Sequence, residues 1–181
     1  MDFTIVRSEI VYHGHVFDVR QDQLRLPNGN LAQIDVVDHR GAVTMIPVDN
    51  QGQIWFVRQY RPAIRQVLLE LPAGAAEIGE APLTSAQREL REETGMAAGN
   101  LQEIGSFYLA PGYSTEFMHL FLASDLQPAP LPADKDEFLK IEKVSARQAI
   151  RLAETGELQD SKSLVALFWC KPYLRQLGLI D

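Results

Sequence analysis

Cysteine is nearly absent from the 181 residues. Cys170 is the single thiol, so no intrachain disulfide can form, which suits a reducing, cytoplasmic setting. Lying beside Phe168 and Trp169, it reads as a small buried thiol. Long apolar runs are missing too: none approaches the ~20 residues that span a bilayer. A basic segment followed by an apolar one is also lacking at the start, so neither a signal peptide nor a membrane partner is expected. Positive charge is in deficit. A net charge of −7 argues against nucleic acid as the main partner. An acidic chain can still hold a polyphosphate if a divalent cation and a few arginines face it. Composition is otherwise that of an ordinary soluble globular protein, large enough to bury a real core, and no internal repeat is present.

What the chain does have is an unusual concentration of acid between Gly74 and Met96. Glu89, Glu92 and Glu93 stand at i, i+3 and i+4 of a helical pattern, placing three carboxylates on one face. At ~6 Å and an effective dielectric of about 20, each pair repels by roughly 3 kcal/mol if the face is partly enclosed. A hard divalent cation, Mg²⁺ or Mn²⁺ in its place, would remove that cost. Leu83, Ala86 and Leu90 form an apolar stripe beside the acidic face. Pro82 suits the first helical turn and Gly95 the left-handed position that ends a helix. Arg88 lies four residues before Glu92 and can hold it by a forked hydrogen bond. Upstream, Leu71-Pro72-Ala73-Gly74 makes a turn whose backbone carbonyl, that of Ala73, could complete a metal shell.

The pattern Gly74, Glu80, Arg88-Glu89-Leu90, Glu92-Glu93 and Gly95-Met96 resembles the complete Nudix box, every fixed position being filled. Arg58-Gln59-Tyr60-Arg61-Pro62 followed by Glu70-Leu71-Pro72-Ala73-Gly74 is similar to the ADP-ribose pyrophosphatase branch of that family. So is Pro111, fifteen residues beyond Met96, within Ala110-Pro111-Gly112-Tyr113-Ser114-Thr115-Glu116. The resemblance implies a metal site of Glu89, Glu92, Glu93 and Ala73. It implies substrate contacts from Arg61, Glu70, Glu80, Gly112 and Glu116. Arg88 and Glu92 then belong to the catalytic set, with Glu137 as the residue that activates water from the acidic segment Asp134–Glu137.

The rest of the chain reads as scaffold. Ser8–Tyr12, Val16–Leu26 and Leu31–Val37 alternate as strands, with Pro27-Asn28-Gly29-Asn30 signalling a tight hairpin turn. Gly41–Val48 and Ile54–Tyr60 read as a hairpin of core strands about Asp49–Gly52. Glu70 stands in an apolar strand and needs a partner, Arg61 or a ligand hydroxyl. His13 and His15 lie two apart without a third ligand, which favours a strand-edge or substrate-contacting place over a metal site. Ser145 caps one helix that Gly156 closes. Asp160-Ser161 opens the last, with Leu164, Leu167 and Phe168 on one stripe.

The expected fold is therefore α/β: a Nudix-type α/β/α sandwich with a mixed sheet over residues 41–181. A small antiparallel sheet over residues 1–40 precedes it and, by the resemblance, makes homodimer contacts. The implied activity is Mg²⁺-dependent hydrolysis of ADP-ribose to AMP and ribose 5-phosphate. Two alternatives stay open: another nucleoside diphosphate sugar such as GDP-mannose, or a non-catalytic ADP-ribose sensor.

Overall fold

The computed structural model describes residues 2–133 and 137–181, and the chain divides into two compact units. The first comprises Met1–Gly41 with Phe107–Met118. Its strands β1 (Thr4–His13), β2 (Phe17–Arg25) and β3 (Leu31–His39) form an antiparallel sheet in that order. The β2–β3 connection is the tight hairpin turn expected of Pro27–Asn30: Gly29, at φ 85°, donates its N–H to the Leu26 carbonyl at 2.9 Å, and Leu26 N–H donates to the Asn30 carbonyl at 2.8 Å. Polar stitching fixes the sheet. Ser8 Oγ donates to buried Asp22 at 2.6 Å, and Arg20 spans Asp22 and Asp38. The loop carrying Gly112 and Glu116 lies along β3, through Val37 N–H to the Tyr113 carbonyl and Thr115 N–H to the Val37 carbonyl. His13 stands 3.3 Å from Asp18.

The second unit holds Ala42–Ser106 and His119–Asp181. Its elements are β4 (Ala42–Pro47), β5 (Gln53–Arg61), β6 (Gln66–Glu70), β7 (Ala73–Ala75), α1 (Pro82–Thr94) and β8 (Met96–Tyr108). β9 (Phe117–Pro128), β10 (Lys140–Ser145), α2 (Ala146–Thr155) and α3 (Ser161–Gln176) complete it. The α/β class stands, with the strands shared between two sheets of order β10-β5-β6 and β7-β4-β9-β8. The hairpin expected of Gly41–Val48 and Ile54–Tyr60 is thus corrected: β4 and β5 lie in different sheets, joined by one bridge, Val48 to Ile54. β-branched composition identifies a strand but not its neighbour.

β4 is buried along its whole length, because it is covered on both faces. Val43 and Met45 pack with Ala86 and Leu90 of α1 and with Phe121 and Ala123 of β9. Ile46 joins a larger core with Phe56, Leu120, Ile150 and Leu167. Two stripe assignments change. Leu83 is exposed, leaving Ala86 and Leu90 as the apolar contacts of α1. Phe168 is also exposed, and α3 buries Leu167, Cys170 and Leu174 instead. Cys170 is buried as expected, and burial pushes its thiol up to about 12. Among the described residues no helix is long and apolar enough to cross a membrane.

Candidate active site

The site is assembled where the short segment from Glu70 to Gly74 crosses the acidic face of α1. Pro82 starts that helix, and Gly95 ends it in the left-handed region at φ 72°, its N–H bonded to the Arg91 carbonyl. Thr44 Oγ1 and Met45 N–H both donate to the Pro72 carbonyl, at 3.1 and 2.9 Å, fixing the turn before β7. Gly74 then passes so close to α1 that a Cβ there would stand 2.0–2.3 Å from the Glu89 carboxylate. A side chain at this position fits only if the Glu89 carboxylate moves aside. Next to it, Ala73 N–H donates to Glu93 Oε2 at 3.1 Å.

Arg88 organises the carboxylates. Its Nε and Nη2 donate to the two oxygens of Glu80 at 3.1 and 2.9 Å. Its Nη1 reaches Glu89 at 2.7 Å and Glu92 at 2.9 Å. The Glu80 bonds above all raise the guanidinium's proton affinity, and the same bonds hold the Glu80 carboxyl below its usual range. Glu89 and Glu93 go the other way. Burial lifts Glu89 to about 7, against the pull of Arg88 and with a further push from Glu92 and Glu137. Burial first, then the Glu137 and Glu89 charges, push Glu93 well above the carboxylate range.

A second charged group lies on the other side of the same segment. Glu70, 1% exposed, accepts Arg61 Nε at 2.8 Å and Nη2 at 2.6 Å in a forked pair. Lys162 of α3 donates to Glu70 as well, and to Asp160 at 2.9 Å. Burial works against ionisation of Glu70, but the Arg61 hydrogen bonds and the Lys162 charge outweigh it and hold the carboxyl below its usual range. Arg61 is held charged mainly by Glu70, and it also feels the Glu93 charge.

Three comparisons bear on this arrangement. The NUDIX domain profile matches residues 38–168. The chain belongs to the Nudix family. It is 37% identical to a protein named ADP-ribose pyrophosphatase from Bacillus subtilis, over 90% of this chain and 89% of that one. It is 34% identical, with the same coverage, to a methanol dehydrogenase activator from Bacillus methanolicus. A crystal structure of an ADP compounds hydrolase superposes with a TM-score of 0.86 at 26% identity, covering 98% of this chain and 97% of that one.

Ala73, Glu80, Arg88, Glu89, Glu92 and Glu93 lie together in the structure. Arg61 and Glu70 meet each other, and Glu137 lies within electrostatic reach of Glu89 and Glu93. Asp134 to Asp136, beside it, lie outside the described residues. Gly112 is exposed and Glu116 half-buried, both in the loop along β3. Two residues expected at the substrate have their carboxylates committed inside the protein: Glu80 to Arg88, and Glu70 to Arg61 and Lys162.

The residues fit a divalent cation by chemistry. Glu80, Glu89 and Glu92 are hard oxygen donors sharing one guanidinium, with Glu93 beside Glu89, which leaves surplus negative charge. Among the described residues no three of them already surround one point, since Arg88 stands between Glu89 and Glu92. Sequence reasoning finds Asp160 only as the start of α3 and does not find Lys162. One signal was there: a lysine in the first turn of a helix opposes the helix dipole and so needs an anionic neighbour.

Gly74→Ala is expected to displace the Glu89 carboxylate and weaken divalent-cation binding by at least about tenfold, measured by calorimetry; unchanged affinity would show that the close approach is incidental. The pH response has a defined sign. Between about 4.5 and 7 the folded protein keeps the Glu89 proton that the unfolded chain releases, so metal-free stability falls as pH rises through that window. Saturating Mg²⁺ is therefore expected to raise Tm more at pH 8 than at pH 5.5. Equal shifts at the two pH values would contradict a buried, proton-competing carboxylate site.

Proposed function

We propose that this chain hydrolyses the pyrophosphate linkage of ADP-ribose, giving AMP and ribose 5-phosphate, with Mg²⁺ as its cofactor and Mn²⁺ able to replace it. The observation that carries the reading is the pairing of a buried acidic face with a cation beside it. Arg61 is close enough to Glu93 to sense its charge, and its Nη1 has no partner among the described residues. A diphosphate needs positive charge on both sides, and this is where one would fit. The names of the relatives, an ADP-ribose pyrophosphatase and an ADP compounds hydrolase, support the choice of substrate.

Glu89, Glu92 and Glu93, with the Ala73 carbonyl, would hold the metal, which when bound supplies charge neutralisation to the phosphate oxygens. The protein's own groups do the rest. Arg61 binds the diphosphate through its free N–H edge. Arg88, anchored by Glu80, keeps Glu89 and Glu92 apart and oriented. Glu137, beside the acidic face, takes the proton of the attacking water. As the new P–O bond forms, the bridging P–O bond breaks and its electron pair leaves with the departing phosphate. By the resemblance, Gly112 and Glu116 also contact the substrate.

Residues 41–181 form the hydrolase domain on this account and residues 1–40 the contact subdomain of a homodimer. Strand β1 is exposed along its length, with Ile5, Val11 and Tyr12 all more than half exposed, an apolar surface of the kind a second copy covers. A cytoplasmic setting agrees with the free, buried Cys170.

Turnover of ADP-ribose, GDP-mannose and other nucleoside diphosphate sugars with Mg²⁺ tests the substrate, with AMP the expected product. Preferential GMP release from GDP-mannose, or binding without turnover, would contradict the reading. Glu137→Gln is expected to lower kcat by about 100-fold or more with little change in Mg²⁺ half-saturation, whereas Glu93→Gln raises that half-saturation. Full Mg²⁺-dependent turnover by Glu93→Gln would remove the acidic face from the mechanism.

A further inference from the structure

The charged group around Glu70 contains a lysine that the mechanism does not use. Lys162 is 6% exposed, which is uncommon for an ammonium group unless its charge is matched. Its partners are both carboxylates: Glu70 of β6 and Asp160, the residue that caps α3. Asp160 Oδ2 also accepts Ser163 N–H at 3.0 Å and Ser163 Oγ at 2.5 Å. Ser163 Oγ in turn accepts Leu71 N–H at 2.7 Å. The first turn of α3 therefore grips the Glu70–Leu71 backbone and the Glu70 side chain at once. With Arg61 the set holds two cations and two carboxylates, balanced in charge, buried at Glu70 and Lys162 and part-exposed at Arg61.

The balance has a directional consequence for Arg61. Each Glu70 oxygen takes one donor from the Arg61 fork, and Lys162 shares Oε2. The carboxylate plane is thereby fixed by three donors from two directions. A guanidinium bound to a fixed carboxylate in a forked pair has one orientation rather than several. Glu70 alone, on a short strand, would leave the pair free to turn together.

We propose that Lys162 is a positioning residue for substrate diphosphate: from the N-terminal turn of α3 it locks Glu70, and through Glu70 it aims the free edge of Arg61. Asp160 holds Lys162 in that place. This rests on the reading of Arg61 as the diphosphate contact. The alternative for so buried a lysine is structural support alone, in which case its loss lowers stability without touching the Arg61 contact.

A double-mutant cycle between Lys162→Met and Arg61→Ala separates the two. The probe is a methylene-bridged, non-hydrolysable ADP-ribose analogue with Mg²⁺, its Kd read by calorimetry on the full chain, so that binding is judged apart from turnover. Lys162→Met is expected to weaken binding by about tenfold or more, to have no further effect in the Arg61→Ala background, and to be largely rescued by Lys162→Arg. With hydrolysable ADP-ribose the same variant is expected to raise KM more than it lowers kcat. Wild-type affinity in Lys162→Met, or equal losses in both backgrounds, overturns the proposal. Should Lys162→Met fail to fold by circular dichroism, Asp160→Asn, which can still cap α3 but removes the carboxylate that holds Lys162, takes its place in the cycle under the same criteria. If the wild type binds the analogue but does not hydrolyse ADP-ribose, the functional reading fails while the cycle still decides the role of Lys162. No binding of the analogue by the wild type overturns both.

Discussion

The constraint on which this structure depends is electrostatic: Glu89 and Glu93 are buried side by side, within reach of Glu92 and Glu137, with too little positive charge to match them. Burying like charges in a low-dielectric interior is unfavourable, and the surrounding parts are arranged around that cost. Arg88 spends all three of its nitrogens on carboxylates, binding Glu80, Glu89 and Glu92. Glu93 draws one backbone N–H from Ala73. What remains is a proton affinity raised far enough for Glu89 to titrate near neutrality. A site in that condition is poised to exchange a proton for a cation.

The backbone between Glu70 and Gly74 joins two charged groups of opposite purpose. On one side Glu70 is saturated by Arg61 and Lys162; on the other, Gly74 lies against Glu89. Because Leu71 N–H is held by Ser163 and the Pro72 carbonyl by Thr44 and Met45, this segment has little freedom. A shift at either end would be felt at the other. On the proposed function that coupling keeps the Arg61 edge and the acidic face at a spacing set by the scaffold, so that a diphosphate meets both without further ordering.

Much of this was legible in the sequence, and the reasons differ by residue. The acidic face of α1, its proline start and glycine stop are local features, and so is the Arg88 contact to Glu92, although it is a single bond and the fork expected there goes to Glu80. Gly74 could be picked out by its register, although its cause, the approach of Glu89, exists only in three dimensions. Glu70 was recognisable as a buried acid in need of a cation, and Arg61, nine residues before it, supplied one. Lys162 was not found because it lies 92 residues from Glu70, and nothing local links a helix start to a strand that distant. The two-sheet arrangement escaped for a related reason. β4 and β5 flank a good turn, and a turn does not reveal whether the strands beyond it stay paired. Leu83 and Phe168 were placed on the wrong side of their helices because apolar character alone does not fix which edge of a stripe is covered.

The most direct test of the central claim is a crystal structure with Mg²⁺ and a non-hydrolysable ADP-ribose analogue. The account predicts metal density on Glu89 and Glu93 at the ~2.0–2.1 Å typical of magnesium–oxygen bonds, with the diphosphate between that metal and the Arg61 guanidinium. An acidic surface without metal, and the analogue bound elsewhere on the molecule, would contradict it.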